Sequence, residues 1–166
     1  MDIRGQGAVD LLVALHEVTE RFGAYGYDQS LKHPSVHWEL LAFRYGSTKP
    51  MARVGCSFSL RNDPEGMQRE VTLVVDVTVK DSGFVIEGAT EIDEPLEVGG
   101  EANVRDLITL PTVQTTDLDE CLAALRDHAR RLCSTATLLD DLGVPRGGRA
   151  PFGIPRKPDP GKRPDG

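Results

Sequence analysis

Aromatic residues make up only 5% of this 166-residue chain, and it has three cysteines. With 39% hydrophobic residues and so few rings, the core must be mainly aliphatic. Cys56, Cys121 and Cys133 are odd in number, far apart, and form no CxxC. That excludes a disulfide framework and points to a reducing, cytoplasmic compartment. Long hydrophobic runs are missing too. The opening "MDIRGQGAVDLLVALHEVTERFG" has no basic leader, and His16 and Glu17 interrupt its apolar stretch, so neither a signal peptide nor a membrane span is expected. No G-x-S-x-G, G-x-x-x-x-G-K-[ST] or G-x-G-x-x-G occurs. The common hydrolase, nucleotide and dinucleotide fingerprints are therefore absent, and no cofactor is implied.

Acidic charge is plentiful but unevenly placed. The net charge is −7, yet residues 1–144 hold 24 acidic and 13 basic side chains, whereas 145–166 hold six basic and two acidic. An acidic body thus carries a basic tail. The tail is rich in proline and glycine and lacks apolar patterning, so it is expected to be disordered, with 1–144 as a single domain. Its PxxP, from Pro155 to Pro158, suits polyproline recognition, although the motif is common in any proline-rich tail. Basic residues without interleaved aromatics offer only salt-sensitive, non-specific contact with nucleic acid.

Periodicity supplies the fold class. Leu11, Leu15, Val18 and Phe22 recur at helical spacing over 8–22, with Ala8, Leu12 and Thr19 widening the stripe. Gly23 and Gly26 are expected to end that helix, and Pro34 marks 28–35 as loop. Strands are predicted over 36–45, 52–61, 70–80 and 83–92, most alternating between apolar and polar residues, which marks an antiparallel sheet with one solvated face. "KDSG" (80–83) reads as a hairpin with Gly83 at a left-handed position. A short edge strand over 107–113, limited by Pro111, would make the meander four- to five-stranded. Thr116 and Asp117 offer caps to a second helix reaching Cys133, which continues or restarts before Gly143 and Pro145. The predicted class is α+β, with the helices covering one sheet face.

Candidate chemistry is sparse. "CLAALRDHARRLC" (121–133) gathers two cysteines and His128 on one helix. Seven residues separate Cys121 from His128, roughly 10 Å along the axis and too far for a thiol–imidazole hydrogen bond. Both cysteines flank the stripe of Leu118, Leu122, Leu125, Ala129 and Leu132, so they are read as core, as is Cys56. His33 and His37 have metal-like i, i+4 spacing, but Pro34 opposes a helix, and an extended chain would hold them roughly 13 Å apart. "HEVTE" (16–20) lacks the second histidine of a zinc protease. No metal site and no catalytic group is assigned.

What remains is acidic. Glu87, Glu91, Asp93, Glu94, Glu97, Glu101 and Asp106 face only Arg105 across 87–106, without the alternate spacing of a calcium loop. The leading expectation is a non-enzymatic binding module of immunity, chaperone or adaptor type. Glu87, Glu91, Asp93, Glu94 and Glu97 would contact a protein partner, plausibly a basic one. The alternative is a small-molecule or isomerase-like fold whose sheet and helix enclose an apolar cavity lined by His37, Trp38, Glu39 and Tyr45. Edge or face pairing into a homodimer is a third expectation.

Overall fold

The computed structural model describes residues 5–41, 51–60, 69–81, 83–94 and 103–147. In chain order these form α1 (Gln6–Lys32), β1 (Val36–Leu41), β2 (Met51–Leu60), β3 (Arg69–Lys80), β4 (Gly83–Glu94), β5 (Asn103–Thr109), β6 (Val113–Thr115), α2 (Leu118–Leu132) and α3 (Leu138–Asp141). The predicted α+β class is what the chain adopts. The strands lie in the order β1-β2-β3-β4-β5, every pair antiparallel, and β6 pairs with the free end of β4.

Alternation decides which face is buried. Val54, Cys56, Phe58 and Leu60 of β2, Val71, Leu73, Val75 and Val77 of β3, and Phe84, Ile86 and Ile92 of β4 all join one core. Phe22, Val18 and Leu15 of α1 and Leu125, Ala129 and Leu132 of α2 complete it. α1 lies over β1 and β2, and α2 over β3 and β4, so both helices cover the same face. Among the described residues, no helix covers the opposite face of the sheet.

The first helix is longer than expected. It runs unbroken through Gly23 and Gly26 to Lys32, and only His33 to Ser35 form the turn into β1. The reason is packing: a Cβ on Gly26 would lie 2.3 Å from the Trp38 ring, so this glycine lets helix and strand approach closely. Pro34, not glycine, sets the end. Leu12 and Ala8 also differ from expectation. Both are exposed, because the contact line runs through Ala14, Leu15, Val18, Phe22, Tyr25, Gly26 and Gln29.

Two turns are corrected as well. In the β3–β4 hairpin the left-handed residue is Asp81 (φ 54°), a residue type that tolerates this region. Gly83 serves close approach instead: its Cβ would fall 2.7 Å from the Thr115 carbonyl oxygen on β6. The predicted edge strand 107–113 is interrupted. β5 begins earlier, at Asn103, and chain 110–112 leaves the ladder around Pro111 before β6 resumes it. There the Leu110 N–H donates to the Gly88 carbonyl (2.8 Å), and the Pro111 carbonyl accepts from His128 Nε2 (3.1 Å).

α2 begins as its cap predicts. Asp117 accepts a hydrogen bond from the Glu120 N–H at 3.0 Å, with Asp119 and Glu120 in the first turn and Arg130 and Arg131 in the last. Both ends therefore suit the helix dipole. After α3 the chain returns to the end of α1. The Gly147 N–H donates to the Lys32 carbonyl (3.0 Å), His33 Nδ1 meets the Pro145 carbonyl (3.3 Å), and Arg146 clasps Asp140 with two hydrogen bonds. Residues 145–147, expected to start the tail, are thus bound to the body. The remaining tail, 148–166, lies outside the described residues.

Candidate functional site: the uncovered sheet face

The strand register arranges the uncovered face in rows. One row runs His37, Ser59, Glu70, Asp93 and Val104; the next runs Glu39, Ser57, Thr72, Glu91 and Asp106. A third is nearly apolar: Leu41, Gly55, Val74, Ala89 and Thr109. Arg53, Asp76 and Glu87 form a fourth. Among the described residues, seven carboxylates (Glu39, Glu70, Asp76, Glu87, Glu91, Asp93 and Asp106) thus share the face with Arg53 and, at its margin, Lys80.

Arg53 ties the middle together. Its Nε and Nη2 donate to the two carboxylate oxygens of Asp76 at 3.0 and 3.1 Å, and Nη2 also donates to Glu91 at 3.3 Å. Burial opposes its charge, but the hydrogen bond and field of Asp76, then those of Glu91, hold the guanidinium above its ordinary pKa. Arg53 and Lys80 cannot balance seven carboxylates, so these residues keep a negative surplus. Beside Arg53 lies a depression of about 250 Å³, lined by Leu41, Arg53, Glu70, Thr72, Glu91, Asp93 and Val104. A second, shallower depression, by Asp76, Glu87, Glu91, Asp106 and Thr109, measures about 170 Å³. A wider groove of about 580 Å³ runs along the β3–β4 turn and β6, past Lys80, Asp81, Gln114 and Thr115, and is open to solvent along its length.

The structure separates the residues singled out from sequence. Glu87, Glu91 and Asp93 stand together on the uncovered face. Glu94 alternates to the other side at the sheet margin, where it accepts from Arg105 Nη2 at 3.3 Å. Glu97 lies outside the described residues. Among the proposed cavity liners, His37 and Glu39 are exposed on the uncovered face, whereas Trp38 points to α1 and is half-buried. These three do not converge, and Tyr45 lies outside the described residues.

Glu70, Asp76, Asp106 and Arg53 were not singled out from sequence. Alternation already set Glu70 and Asp76 opposite the apolar face of β3. Their meeting with Glu91 and Arg53, however, depends on pairing across three strands.

The cysteine–histidine stretch belongs to the core. Cys56 and Cys121 are fully buried and Cys133 partly so. Burial pushes the Cys121 thiol up to about 11 and Cys133 to about 12, away from the thiolate a nucleophile needs. His128 is buried and turned to the Pro111 carbonyl, so its Nε2 carries the proton. Among the described residues no three His, Cys, Asp or Glu side chains are grouped to hold a metal ion. No described helix is long and apolar enough to cross a membrane.

No protein-family model matches the chain, and comparisons with curated proteins and with solved structures gave no match.

Proposed function

We propose that this protein is a non-enzymatic binding module whose uncovered, acidic sheet face holds a basic protein segment. The single observation that carries this reading is the excess, among the described residues, of seven carboxylates over Arg53 and Lys80 on a face that neither helix covers. Such a field speeds the approach of a cationic partner and rejects acidic ones. The apolar row through Leu41, Val74 and Ala89 adds a dry stripe between charged rows. The depression of about 250 Å³ beside Arg53 suits one long basic side chain, with Glu70, Glu91 and Asp93 around it.

The test is capture of partners from the source lysate, followed by association kinetics with the partner identified. Replacing Glu87, Glu91 and Asp93 together by lysine should slow association about tenfold or more at low salt and flatten its salt dependence. A partner that binds the triple variant at an unchanged rate would refute the assignment of this face.

A further inference from the structure

α1 carries a second apolar stripe, opposite the one it buries. Val9, Leu12, Val13, Tyr27 and Leu31 are 51%, 62%, 48%, 59% and 63% exposed, and Leu40 of β1, 40% exposed, lies beside Gly23. At 100° per residue, Leu12, Gly23, Val9, Tyr27, Val13 and Leu31 fall within an arc of about 100° that points away from the sheet. A helix that only roofs a sheet needs one apolar stripe; this helix has two. Divided by His16 and Glu20, the exposed apolar side chains together offer roughly 500 Å², as much as one large apolar patch on a monomeric protein. Doubled across a two-fold axis, complete burial of that area reaches the ~1,000 Å² threshold of a biological interface.

We propose that two copies of the chain associate through this stripe, α1 packing antiparallel on α1 about a two-fold axis. The polar residues within the stripe select the second copy as the occupant. His16 and Glu20 are exposed and interrupt the stripe near its middle. With the axis at the level of Val18, His16 of each copy faces Glu20 of the other. The same register sets Val9 against Tyr27 and Val13 against Gly23. Gly23, whose Cβ position has only Leu40 nearby at 3.7 Å, leaves room for the second helix to approach. Sliding by one turn in one direction opposes the two Glu20 side chains, and in the other the two His16 side chains, so this register alone of the three sets each imidazole against a carboxylate. The contact is isologous and closes at two copies. It lies on the far side of the helices from the acidic sheet face, so it stands or falls independently of the proposed function.

The test is sedimentation equilibrium of the full chain across micromolar concentrations, with three variants. Wild type should be a monomer–dimer equilibrium. Leu12→Glu should weaken it about 30-fold or more, because the two-fold contact contains the substitution twice. His16→Glu should weaken it by opposing two carboxylates, and His16→Glu with Glu20→Lys should restore it, because an oppositely charged pair then fills the two facing positions. The last two sites are exposed, and circular dichroism will confirm that each variant folds. A wild-type chain that stays monomeric overturns the proposal, as does a dimer that survives Leu12→Glu. A double variant no better than His16→Glu overturns the antiparallel register.

Discussion

At the scale of single residues, the two glycines of α1 behave differently, and each has its own reason. Gly26→Ala gains intrinsic helix propensity of about 1 kcal/mol, but its new methyl would lie 2.3 Å from the Trp38 ring. Overpacking of that kind costs about 1–3 kcal/mol, so a net loss of stability is expected in urea titration. Gly23→Ala meets only Leu40, at 3.7 Å, and should stabilise the monomer by about 0.5–1 kcal/mol. From sequence both glycines look like helix ends; only the strand underneath shows that one is a contact and the other an opening. The thiols allow a second check. Burial raises Cys121 to about 11 and Cys133 to about 12, so the folded chain holds these protons longer than the unfolded chain does. Their contribution is complete below the free-thiol value near 8.5 and is lost as pH rises towards 11–12. The melting temperature should therefore fall through this alkaline range. A thiol reagent at neutral pH should label the folded protein far more slowly than the unfolded one. Fast labelling of Cys121 in the native protein would contradict its place in the core.

At the scale of elements, what was legible in the sequence follows from periodicity. The alternation of β2, β3 and β4 identified the buried face correctly, because its positions are almost all valine, isoleucine, leucine, phenylalanine or cysteine, with Gly88 and Thr90 of β4 as exceptions. The start of α2 was legible for the same kind of local reason. Asp117→Ala removes the acceptor for the Glu120 N–H and should cost about 1 kcal/mol, measurable by thermal melting. Contacts between distant segments were not legible. Leu12 was assigned to the core stripe because it borders Leu11 and Leu15, yet the helix meets the sheet along a narrower line. Likewise β5 and β6 read as one strand, since the gap at Pro111 is set by hydrogen bonds from Leu110 and His128 to partners on other elements.

At the scale of the whole molecule, the chain divides its surfaces by chemistry. Two helices close one face of the sheet around an aliphatic core, the other face concentrates carboxylates, and the outer side of α1 is apolar. The sequence announced the acidic excess of residues 1–144 and placed part of it at Glu87, Glu91 and Asp93. It did not show that Glu70, Asp76 and Asp106 join them, because that depends on how β3, β4 and β5 align. Nor did it show that Glu94 turns away to Arg105. The claim that matters most is that the carboxylate-rich face is the recognition surface. The most direct measurement is a backbone amide NMR map of the chain, isotopically labelled and titrated with its captured partner. Shifts concentrated at Arg53, Glu70, Thr72, Asp76, Glu87, Glu91 and Asp93, and diminished by salt, are the expected result. Shifts confined to α1 and α2, with the sheet face silent, would contradict the account.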